Sequence, residues 1–208
     1  MKKEQDYIRD IAEIRSMMER SSKFLSLSGW AGIMAGIYAL TGAFIAHKVF
    51  GFTPDQIAFR SMDTGSSPAS LQKVIFLALV VLALAIGTAF LLSANKAKKR
   101  GENAWNTSSK LLLANMAVPL MTGGILMLIL FSKGLFGLIA PLTLVFYGLA
   151  LYNASKFTYE DVKFLGLIQV ALGLASTCFI EYSLLIWAIG FGLVHIIYGI
   201  YMHLRYER

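Results

Sequence analysis

The chain has 208 residues, 57% of them hydrophobic and only 15% charged, where a soluble domain carries roughly a quarter charged residues. Its net charge of +7 is gathered between apolar runs of about 20 residues, each long enough to cross a hydrocarbon core of about 30 Å. That distribution argues against a nucleic-acid surface and leaves no room for a separate soluble domain; it predicts an all-α polytopic membrane bundle of six transmembrane helices.

Residues 1–23 read as a cytoplasmic amphipathic helix. Tyr7, Ile11, Ile14 and Met18 form one apolar stripe, and Arg9–Glu13, Arg15–Glu19 and Glu19–Lys23 are opposite charges four apart. The stripe suits a helix lying on the membrane or on the protein's own cytoplasmic face; the sharper alternative is a short coiled-coil contact. The pattern lacks a short basic region followed by a short apolar one, so a cleavable leader is not expected. Residues 24–208 follow as the transmembrane domain, with spans at 24–48, 72–94, 110–132, 135–154, 163–180 and 183–203, arranged as three helical hairpins. Of the 19 Lys and Arg, all but Lys48, Arg60, Lys73 and Lys133 fall on one side of this layout. The positive-inside rule therefore places both termini in the cytoplasm.

Span one carries Gly32 and Gly36, with Ala31, Ala35, Ala39 and Ala43 beside them; small residues let helix backbones approach closely in lipid. The loop "GFTPDQIAFRSMDTGSSPAS" shows turn chemistry and no catalytic spacing. In the basic loop before span three, Trp105 suits the headgroup level and Asn106 or Ser108 a helix cap. Span three contains "VPLMTGG". Pro119 removes a backbone donor, and Gly123 and Gly124 follow, so this is the candidate helix break: a packing kink, or the discontinuity from which transporters build a site. The lone Cys178 says nothing about redox compartment.

Span six holds His195 among Ala188, Gly192 and Gly199. It lies twelve residues past Ser183, about 18 Å along a helix, and so near mid-membrane. Counting places Tyr147, Thr122 and Tyr38 at similar depth and Gln169 and Asn115 nearer the cytoplasm. A mid-membrane polar cluster of His195, Tyr147, Thr122 and Tyr38 is the candidate site. The bland role for His195 is a neutral, hydrogen-bonded core residue. Haem needs two axial ligands at one depth, but His47 and His203 stand at opposite ends of their spans, so haem is disfavoured. Cys178 and Glu181 share a face, yet no histidine is placed to complete a metal set. No cofactor and no metal are expected. No HExxH, GxSxG or phosphate-cradling loop is present, and Glu160-Asp161 suits helix capping, so catalytic residues are not assigned and an enzyme is not expected.

Spans three and four overlay spans five and six at an offset of 51, which aligns Tyr147-Gly148 with Tyr198-Gly199. The six-span layout with glycine-bearing hairpins and short loops resembles, in architecture, the HdeD family of acid-resistance membrane proteins. The closing "GFGLVHIIYGIYMHLRYER" and the "PLMTGG" of span three resemble a group of small bacterial six-span proteins without an assigned activity. These resemblances imply a bacterial inner (plasma) membrane protein with a stress-related role, and no functional residues. The resulting expectation is a non-enzymatic interaction protein whose partners are the bilayer and a second copy or another membrane protein. A small transporter or channel with a site near Pro119–Gly124 and His195 is the alternative, and a haem or quinone protein the third reading.

Overall fold

The structure is a computed structural model that describes residues 23–52, 69–99, 101, 103 and 105–207. The amphipathic helix predicted over 1–23, apart from Lys23, and most of the first long loop lie outside the described residues. Within them the chain is helical, with no strand.

Helix α1 spans Gly29–Phe44 and continues as a π-helical turn, Ile45–Val49. Helix α2 is Ala69–Lys99, α3 Thr107–Ser132, α4 Ile139–Ala154 and α5 Val162–Cys178. The last rod has three parts: α6 (Ser183–Ala188), a π-helical segment (Ile189–Val194) and α7 (His195–Tyr206). Among the described residues five stretches are long and apolar enough to cross a membrane, whereas α5, at 17 residues, is a shorter apolar helix. Span one is corrected at its start. Residues 24–28 are not helical, because their backbone is bonded to other parts of the bundle, as described below.

Local chemistry accounts for the helix ends. Asn106 caps α3 by accepting from the Ser109 N–H (2.8 Å), while the Ser109 hydroxyl oxygen accepts from the Asn106 N–H (3.0 Å). This reciprocal pairing occupies two donors that a helix start leaves free. Beyond α3, Gly134 takes φ +74°, the left-handed conformation that ends helices and that glycine adopts without a Cβ clash.

Each helix pair has its own packing device. The most extensive contact is α4 on α5. A Cβ on Gly148 would come within 2.6 Å of the Gly166 carbonyl, and one on Gly166 within 2.7 Å of the Gly148 carbonyl. Helix α1 packs on α7 and the π segment: a Cβ on Gly36 would meet the Gly192 carbonyl at 2.6 Å, and one on Gly199 the Gly29 carbonyl at 2.6 Å. In lipid, association has no hydrophobic drive between helices, so close backbone approach and its dispersion contacts hold them. Helix α2 lies on α1, with Gly42 against Val81, and α3 lies on α4, with Gly123 against Phe146. At one end of the bundle, Leu71 and Phe136 form an apolar cluster with Phe52, Ile75, Phe131 and Ile139, tying the start of α2 to the α3–α4 turn.

Candidate functional site

His195 opens α7 directly after the π segment and is 5% exposed. A π turn widens the helix by one residue and often marks a functional position. Here the Gly190 carbonyl receives side-chain donors. His195 Nδ1 lies 2.9 Å from that oxygen and Gln169 Nε2 lies 2.8 Å from it. A carbonyl oxygen only accepts, so Nδ1 carries the proton in the neutral ring and Nε2 is left as acceptor. The Tyr147 hydroxyl, 3.0 Å from Nε2, then donates to it. The Gln169 amide is oriented by the same carbonyl, because turning it over would set its oxygen against the Gly190 oxygen. Gln169 is fully buried, and its Oε1 has no hydrogen-bond partner among the described residues.

Aromatic rings wall this group. Trp187, Phe191 and His195 recur every fourth residue of the rod, with centroids 4.9 Å and 5.8 Å apart, and Tyr147 packs 5.0 Å from Phe191. The indole N–H of Trp187 donates to the Thr143 hydroxyl at 3.1 Å, one turn along α4 from Tyr147. Leu144, on the same helix, is fully buried.

The other residues singled out in the sequence are placed as follows. Thr122 is exposed and bonds its own helix, donating to the Val118 carbonyl at 2.8 Å; it does not join His195. Tyr38 is half-buried and makes no hydrogen bond among the described residues. Helix α3 runs unbroken through Pro119. Gly123 is buried against Phe146, while a Cβ on Gly124 would meet nothing within 4 Å. The two glycines thus have separate circumstances, close packing for one and an open outer face for the other. Gly32 and Gly36 meet the rod at Gly199 and Gly192 respectively, and a Cβ on Gly192 would clash with the Leu40 side chain. Of the four polar residues, only His195 and Tyr147 come together.

Sequence reasoning missed Gln169 and Gly190 as members. Counting from helix ends put Gln169 at another depth, but a long amide on the adjacent short helix reaches the π turn. Two glycines within three positions, Gly190 and Gly192, five and three residues before a buried histidine, were the available signal for an irregular turn there. Chemically, the group is a neutral imidazole engaged at both nitrogens, a phenol and an amide. Gln169 Oε1 lies against Gly190, 2.7 Å from where a Cβ on that residue would stand. Among the described residues, no three His, Cys, Asp or Glu side chains are grouped to hold a metal ion.

A second polar assembly closes the Lys-rich end. Glu207, its side chain 11% exposed, accepts from the Gly29 N–H (2.9 Å) and pairs with Lys96 (2.9 Å) and His203 (2.6 Å). Burial opposes its charge and would raise the pKa, but the bonds from His203, Lys96 and Gly29 prevail and hold its carboxyl down at about 2. Lys96 also donates to the Leu27 carbonyl at 2.5 Å. The segment before α1 is bonded residue by residue: the Phe24 N–H to the Phe157 carbonyl (2.7 Å), the Thr158 hydroxyl to the Phe24 carbonyl (2.7 Å) and the Tyr159 hydroxyl to the Leu25 carbonyl (2.5 Å). These bonds keep residues 24–28 out of the helix. Asp161 accepts from the Tyr206 hydroxyl at 2.6 Å and lies 3.3 Å from Arg205.

No protein-family model, no curated protein and no solved structure matches this chain.

Proposed function

We propose that the chain is a six-span, non-enzymatic protein of the bacterial inner membrane, with both ends cytoplasmic, that acts by packing against a second copy of itself. The observation that carries this reading is the outer face of α2. None of its most apolar 18-residue stretch is buried. On that face Ala83 and Gly87, one turn apart, are exposed, and a Cβ on Gly87 would meet nothing within 4 Å. Phe76, Leu79 and Phe90 flank them, each more than half exposed. Gly36, Gly148, Gly166 and Gly199 seat neighbouring helices; Gly87, like Gly124, has no neighbour within the described residues. Small residues one turn apart are the usual means of close helix approach in lipid. The six-span count takes α5 as a span: its 17 residues reach about 25 Å, the short limit for crossing.

The test is the mass of the purified protein in mild detergent and in nanodiscs. A dimer or larger assembly that Gly87→Leu converts to monomer supports the reading; a strictly monomeric wild type sinks it. A small transporter or channel is the second reading, and one observation favours it, the unpartnered oxygen of Gln169 beside His195. It predicts solute or proton flux in proteoliposomes that Gln169→Leu abolishes.

A further inference from the structure

The geometry points to a phosphate-binding pocket for an anionic phospholipid headgroup at the α4–α5 turn. A cavity of about 200 Å³ there is lined by Lys23, Tyr152, Ser155, Lys156, Glu160 and Lys163. Three separate segments supply its cations: Lys23 from the chain entering α1, Lys156 from the turn after α4, and Lys163 from the first turn of α5. Glu160 is the single carboxylate, so the lining carries a net charge of two positives. Among the described residues none of the three lysines forms an ion pair. Lys163 instead stands 5.8 Å over the Tyr152 ring. Three lysines lining one cavity with a single carboxylate leave an excess of positive charge there, which a phosphate diester would offset.

The surroundings select a lipid as the source of that phosphate. Lys163 and Leu167 are one turn apart on α5, and Tyr152 lies three residues past Leu149 on α4; Leu149, Tyr152 and Leu167 are all exposed. The two helices touch at Gly148 and Gly166, so this apolar strip runs from the cavity along the α4–α5 seam toward mid-bundle. A headgroup in the cavity has its acyl chains directed along the strip, and Tyr152 stands where interfacial aromatics meet headgroups. Basic pockets between spans on the cytoplasmic side are a recurrent form of headgroup recognition. This inference rests on membrane embedding and is independent of self-association.

The experiment is native mass spectrometry of the full chain in detergent, titrated with phosphatidylglycerol and with phosphatidylcholine. Wild type is expected to prefer phosphatidylglycerol by roughly thirtyfold, the scale of two net charges near a membrane surface. The triple variant Lys23→Gln/Lys156→Gln/Lys163→Gln should lose that preference and keep its phosphatidylcholine adducts, which shows that the apolar surface is still folded and lipid-coated. Glu160→Gln should strengthen the preference. A matched triple variant outside the pocket, Lys98→Gln/Lys99→Gln/Lys110→Gln, should leave it unchanged. Equal binding of the two lipids by wild type, or an equal loss in both triple variants, overturns the proposal. Inorganic phosphate is the remaining arm. If it raises thermal stability through the same three lysines while lipid preference is absent, the pocket belongs to free phosphate and the headgroup assignment fails.

Discussion

The neutral imidazole of His195 has a partner at each nitrogen, and those partners come from different helices. Tyr147→Phe removes the donor at Nε2 and leaves a buried acceptor bare, which costs about 1–3 kcal/mol where nothing replaces it. The expected result is a lower thermal midpoint in detergent. His195→Phe together with Tyr147→Phe should cost less than the sum of the single changes, because the double variant leaves no polar atom of that pair unpaired. Additive losses would mean the hydrogen bond is not formed. Glu207 gives a pH dependence with a fixed sign. Its carboxyl is depressed from 4.5 to about 2 by its partners, so its contribution is complete above 4.5 and is lost as pH falls toward 2. Thermal unfolding between pH 6 and pH 2 should show that loss. Glu207→Gln should begin less stable and remove this part of the slope.

At the scale of the helix, glycines of similar appearance have unlike consequences. A Cβ on Gly148 or Gly166 runs into the facing backbone, which cannot move aside as a side chain can. Gly148→Ala should therefore destabilise the α4–α5 pair by roughly 1–3 kcal/mol, the range for overpacking. Gly124→Ala meets open space and should be neutral or stabilising by up to about 1 kcal/mol through helix propensity. The ordering of the two variants in a detergent melt checks the assignment of faces. Pro119 and the neighbouring glycines show the limit of composition: the same six letters spell a break or a continuous helix, and which one holds depends on what stands beside them. Here Phe146 fills the space at Gly123, and Thr122 turns outward to bond the Val118 carbonyl.

Across the whole molecule, the ends are fastened by different chemistry. One end is an apolar cluster around Leu71 and Phe136. The other is a polar knot in which Glu207 and Lys96 join α1, α2 and the segment beyond α7. Helix α2, with 31 residues, is about 46 Å long, so Lys96 stands beyond a core of about 30 Å, where a charge is tolerated. The proposed topology puts that knot at the cytoplasmic face. In a background with Cys178 replaced, single cysteines at Lys98 and at Lys133 should react from opposite sides of sealed vesicles. Reaction of both from one side would overturn the arrangement.

Composition and charge spacing were enough to establish a helical chain rich in long apolar segments, since neither depends on a partner. The sequence also marked His195, Tyr147 and the glycines as residues of interest, because a polar group or a missing Cβ in an apolar run needs a reason. Which of them meet is settled by how the helices pack. Thr122 and Tyr38 share an estimated depth with His195, but depth is one coordinate, and contact also requires a facing side and an adjacent helix. Gln169 failed the depth count and still reaches the π turn, because side-chain length and helix irregularity are absent from a count of residues. The segment 24–28 reads as the start of an apolar helix, and its backbone is nonetheless drawn out by bonds to residues more than a hundred positions away. Helix propensity is local and worth tenths of a kcal/mol per residue, whereas several hydrogen bonds and a buried Phe24 outweigh it.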